Sequence, residues 1–103
     1  IWSREEDTQH DFYREATISR LKAGLDKSGL PVAYSHQFIF KNHPAEAADI
    51  PYSVPNQLIR YSNPSSPIPW GNWRSVAHST HGFVTESFID ELAHAAKQDP
   101  LSY

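Results

Sequence analysis

The stretch Leu21-Lys22-Ala23-Gly24-Leu25-Asp26-Lys27-Ser28-Gly29-Leu30-Pro31-Val32-Ala33-Tyr34-Ser35-His36-Gln37-Phe38-Ile39-Phe40 decides the fold. Leu21, Ala23 and Leu25 alternate with Lys22 and Gly24. Beyond the Asp-Lys-Ser-Gly break, Leu30, Val32, Tyr34, His36, Phe38 and Phe40 alternate with Pro31, Ala33, Ser35 and Gln37. Side chains of a strand point to opposite faces in turn, so a period of two on both sides of a break predicts two strands. Asp26 to Gly29 supplies turn formers and places glycine last, where a residue of positive φ closes a longer hairpin loop. An antiparallel hairpin with one apolar face follows.

Outward from the hairpin, Lys41 to Pro55 loses the alternation and reads as a loop, its Ala-Glu-Ala-Ala piece being too short for an independent helix. Asn56 to Ser62 regains a strand pattern, with Leu58, Arg60 and Ser62 on one side and Gln57, Ile59 and Tyr61 on the other. Pro64, Pro67 and Pro69 then crowd one short run; each lacks an amide donor, which predicts an extended surface loop. Gly82 to Gln98 reads as the one long helix. Val84, Phe88, Leu92 and Ala95 form its apolar row, Glu86, Asp90, His94 and Lys97 its polar one, and Ser79 or Thr80 its cap. The expected class is α+β: an antiparallel hairpin plus a third strand, with one long C-terminal helix packed on the sheet.

A chain of 103 residues is the size of one domain. A net charge of −3 leaves no basic field for nucleic acid or for adsorption to a membrane. No apolar run approaches the ~20 residues of a bilayer span. The absence of cysteine removes disulfides, thiol catalysis and thiolate metal sites, and fixes no compartment. Ile1-Trp2 followed by a polar run reads as a strand entered part-way. Asp99-Pro100 reads as the start of a further helix. Residues 1–103 are therefore expected to be one segment of something longer.

Among groups that carry chemistry, His78, His81 and His94 lack the fixed spacing of a metal set and read as surface histidines. Glu5-Glu6-Asp7 reads as a solvated charge run, and Pro64-Ser65-Ser66-Pro67 as a stiffened loop that happens to match a PxxP spacing. Trp2, Trp70 and Trp73 suit core packing better than a ligand platform. Gly71 to Ser79 is more telling. It runs into the start of the long helix, where amides and the helix dipole favour a bound oxyanion, and Arg74 adds a cation there.

The blocks Trp2-Ser3-Arg4-Glu5-Glu6-Asp7, His10-Asp11-Phe12-Tyr13-Arg14, Pro51-Tyr52-Ser53-Val54-Pro55-Asn56, Trp73-Arg74-Ser75-Val76, Glu86-Ser87-Phe88-Ile89-Asp90-Glu91-Leu92-Ala93 and Asp99-Pro100-Leu101 stand in that order along the chain. Together they resemble the large, molybdopterin-binding subunit of the xanthine dehydrogenase and aldehyde oxidase family, nearest its isoquinoline 1-oxidoreductase beta-subunit branch. The resemblance implies a molybdenum hydroxylase fragment that forms part of the cofactor pocket and is not catalytic alone. Its cofactor would be a molybdopterin cytosine dinucleotide, its substrate an aromatic N-heterocycle or an aldehyde, and its partners the remainder of the large subunit and an iron-sulfur small subunit. It implies that Trp73, Arg74, Ser75, Val76 and Ala77 lie at the cofactor, and that the catalytic base lies outside these residues. Both cytoplasm and periplasm suit such an enzyme. Ala77 stands where this branch has glycine, Thr80 where the family has glutamine, and Val76 where xanthine-oxidising relatives have phenylalanine. The alternative from the residues alone is an aromatic-rich binding module. In either case the hairpin's apolar face and a single helix leave surface uncovered, so the segment is expected to self-associate or to meet a partner chain.

Overall fold

A computed structural model describes residues 1–39 and 48–103. The expectations for Phe40 and for the loop between residues 41 and 47 fall outside the described residues. The order of elements is α1 (Arg4–Gln9), β1 (Ile18–Leu25), β2 (Pro31–Ile39), β3 (Asn56–Ser62) and α2 (His78–Ala95). The fold is α+β. One three-stranded sheet runs β1-β2-β3, with β1 antiparallel to β2 and β3 parallel to β2.

The hairpin forms as its pattern predicts. Asp26 Oδ1 accepts hydrogen bonds from the Ser28 amide at 2.8 Å, the Ser28 hydroxyl at 2.6 Å and the Leu30 amide at 3.0 Å. These bonds hold the Asp26 carboxyl below its usual range. Gly29 takes φ +88, and a Cβ there would come within 2.9 Å of the Ala96 Cβ, so glycine is required twice over. Cross-strand register puts Leu21 against His36 and Ile59 against His36, which aligns the alternating sets of all three strands. Tyr34, His36 and Phe38 are buried beneath α2, while Ser35 and Gln37 face the other way.

Among the described residues the core includes two small apolar clusters: Phe38, Ala48 and Ala77, with Ile59 against them; and Tyr34, Ile50 and Val54, with Leu21, Tyr52 and Phe88. The helix begins four residues earlier than its pattern suggests, at His78 instead of Gly82, and its N-cap is Ala77, which makes no side-chain cap bond. Its buried stripe is His81, Thr85, Ile89, Leu92 and Ala93, shifted from the expected row, and Ala95 is exposed. Burial of the His81 ring recruits the extra turn. Asp90 and Glu86 face outward as expected.

The N-terminal run is a helix, not a strand. Ser3 caps α1 in a reciprocal box: the Glu6 amide donates to Ser3 Oγ at 3.2 Å and the Ser3 amide to Glu6 Oε2 at 3.0 Å. The α1 acids stay exposed. The tryptophans do not pack in the core either. Trp2 and Trp73 are exposed and Trp70 is half-buried.

Candidate functional site

The loop from Trp73 to Ala77 is built on two consecutive left-handed residues, Ser75 at φ 71 and Val76 at φ 43. Such a conformation costs about 1–3 kcal/mol per non-glycine residue and is worst for a β-branched side chain. The surroundings overdetermine it. The Val76 amide donates to the Trp73 carbonyl at 3.0 Å and the His78 amide to the Ser75 carbonyl at 2.9 Å. Ser79 Oγ donates to the Val76 carbonyl at 2.9 Å and accepts from the Arg14 guanidinium.

Arg14 also lies over the Trp73 ring, its Cζ 4.5 Å from the ring centre, and the Trp73 indole donates to the Phe12 carbonyl at 3.1 Å. Gly71 completes this strap. Its amide donates to the Tyr13 carbonyl at 3.2 Å, and a Cβ there would meet Phe12 Cβ at 2.7 Å. A brace linking residues 12–14 to 71–79 had no local sign in the sequence; only the tertiary fold brings Arg14 to Ser79.

The five site residues expected from the sequence therefore divide. Trp73 lies at the surface against Phe12 and Arg14, and Ala77 is fully buried in the core, so both support the loop. Ala77 sits in the right-handed region at φ −65; the left-handed positions fall on Ser75 and Val76 instead. Val76 is half-buried. Arg74 and Ser75 are exposed. Glu86 accepts a hydrogen bond from the Tyr52 hydroxyl at 2.6 Å, which pushes the tyrosine's pKa up. The recess behind the loop holds only about 10 Å³, about one water at most, while Arg74 and Ser75 face solvent.

Behind the first turn of α2, His36 and His81 are both buried, their ring centres 5.4 Å apart, and Phe38 lies 4.6 Å from each. His81 is thus a core residue, not a surface histidine. Burial, with His81 alongside, pushes the His36 imidazole down to about 4. Burial lowers His81 too, helped by His78. Neutral rings suit a packed site. The pair does not extend to a third ligand, since among the described residues no three His, Asp or Glu side chains gather as a metal set would.

A separate apolar groove of about 700 Å³ lies between the strap and the proline-rich loop, lined by Tyr13, Ile39, Pro67, Ile68 and Trp70. Among the described residues, no helix is long and apolar enough to cross a membrane. No family model, curated protein or solved structure matches the chain.

Proposed function

We propose that this chain is a segment of a molybdopterin-binding oxidoreductase subunit, lining one wall of the cofactor pocket with the loop Trp73 to Ala77. The observation that carries the reading is the braced, left-handed Ser75-Val76 pair, which projects Arg74 and Ser75 from the start of an 18-residue helix. Strain held by so many bonds marks a loop shaped for a ligand. The donors fit an anionic group. Arg74 has no ion pair or hydrogen bond among the described residues, and Ser75 adds an exposed hydroxyl.

When bound, the cofactor supplies transfer of a water-derived oxygen to a carbon of a heterocycle or aldehyde, with two electrons passed on. Arg74 holds negative charge beside it, Ser75 donates a hydrogen bond, and Trp73 and Ala77 keep the loop in place from behind. The motif blocks quoted above support the family; the catalytic base and the electron acceptor belong to other parts of the enzyme.

The test is molybdenum content and hydroxylation of N-heterocycles by the protein in which this chain occurs, at its native length, with Arg74→Ala beside it. Stoichiometric molybdenum, with activity per molybdenum lowered ten- to a hundredfold in the variant, is expected for a lost charge-assisted contact of roughly 1.5–3 kcal/mol. A protein free of molybdenum overturns the reading, and unchanged activity per molybdenum removes Arg74 from the site.

A second reading, an aromatic-rich binding module, is favoured by the groove beside Tyr13 and Trp70, whose volume lies in the range of small-molecule sites. Quenching of tryptophan fluorescence by planar aromatic compounds, lost in Trp70→Ala, would support it over the first.

A further inference from the structure

We infer that copies of this chain pair layer to layer, the outer face of α2 in one copy docking on the uncovered face of the sheet in another. The inference rests on these two faces alone and is independent of the cofactor.

The uncovered face is basic. Arg20 stands opposite Gln37 and Gln37 opposite Arg60, so the two guanidinium groups flank one amide across the three strands, and Lys22 lies two residues along β1 from Arg20. All three cations are exposed, and no described residue of that face is a carboxylate, although the chain as a whole carries net charge −3. A hollow of about 380 Å³ opens between Arg20, Gln37 and Arg60. The face also leaves Leu58 at 44 % exposure. Parallel strand pairs are normally covered on both sides, and β2 with β3 is such a pair, packed through Phe38 and Ile59 against Ala48 and Ala77 on one side only.

The opposite side of the molecule carries the complement. Phe83 and Asp90, seven residues apart, share one outward stripe of α2, with Glu91 beside them; Phe83 is 76 % exposed. A helix laid on a sheet is the usual covering layer, and here it brings carboxylates to cations and a phenyl ring to the exposed Leu58. Among the described residues lining the hollow, Tyr61 is an exposed aromatic side chain and Phe38 is buried, so successive bases find no row of stacking platforms, which disfavours single-stranded nucleic acid as its occupant. A face three strands wide covers roughly 300 Å², well under the ~800 Å² per partner of a stable complex, so the association is weak and salt-sensitive. Because the two contacting faces differ, it propagates instead of closing as a symmetric dimer.

The test is sedimentation of the chain over a wide concentration range at low and high salt. Mass above the 11.7 kDa monomer, rising with concentration and lost at high salt, is expected. The variants Arg20→Glu with Arg60→Glu, and Asp90→Lys with Glu91→Lys, should each weaken association at least tenfold, and mixing the two should restore it, which a misfolded variant could not do. A wild-type chain monomeric throughout, association that survives either variant, or a mixture that stays monomeric overturns the proposal. Tighter capture of single-stranded DNA than of a second copy would also overturn it.

Discussion

At its C-terminal end α2 closes with the Lys97 amide bonded to the His94 carbonyl at 3.0 Å and the Gln98 amide to the Ala93 carbonyl at 2.9 Å, a Schellman closure turned by a left-handed Lys97. The Gln98 side chain and the Tyr103 hydroxyl then reach Ser28 and Gly29 and clamp the hairpin turn. At the other end Ala77 offers no cap, two left-handed residues precede it, short-range bonds with Trp73, His78 and Ser79 hold them, and Arg14, 65 residues distant, braces Ser79. One end follows local rules; the other breaks them and is repaired by tertiary contacts. Local rules broken and then braced concentrate where a chain meets a ligand, which is why the proposed site sits at the N-terminal end.

The largest expected effect concerns the histidines beneath that N-terminal end. His36 titrates near 6.5 when unfolded and at about 4 when folded, so between these values only the unfolded chain takes up the proton. Stability therefore falls as pH drops from about 6.5 to about 4, by about 3 kcal/mol for this ring, and levels off below. His81 acts in the same direction. Urea denaturation at several pH values, with His36→Phe as reference, reads it; an equal slope in the two proteins would refute it.

Gly29→Ala attacks the C-terminal end through the turn it clamps. Positive φ and the 2.9 Å approach to Ala96 act together, and a loss of about 2 kcal/mol in thermal or urea unfolding is expected. Val76→Gly acts oppositely at the N-terminal end: relief of the left-handed valine should stabilise by about 1 kcal/mol. If the strain serves the proposed site, the same variant lowers molybdenum content in the native-length protein even as its melting temperature rises. Smallest is Lys97→Gly, which should add about 0.5–1 kcal/mol at the closure and leave any ligand binding unchanged, as differential scanning calorimetry and binding titration would show.

The C-terminal end and the hairpin were legible because their information is local. Asp26 to Gly29 announces its turn, and the alternation from Leu21 onward fixes which side chains share a face. The capping box at Ser3 and Glu6 has its local signature too, but it sits inside a run of charges whose composition alone suits solvated coil equally well. The start of α2 was not legible, since Thr80, His81 and Gly82 carry no helix signal and a buried imidazole supplies the apolar contact there. The parallel direction of β3 was not legible either, because alternation reports faces and not strand direction. At the proposed site, the sequence singled out the loop from Trp73 to Ala77, in which Arg74 and Ser75 are exposed. It could not say that Trp73 is bound up with Phe12 and Arg14, because those groups lie sixty residues away in the chain.

The bond from Tyr103 to Gly29 also orders events in time. The β1–β2 hairpin joins strands that are neighbours in sequence and closes early, on the scale of ~1–10 μs once both strands are free of the ribosome. Its turn is clamped only when Tyr103, 74 residues later, has been synthesised and α2 has docked, so the hairpin waits with its apolar face uncovered while the intervening residues are made.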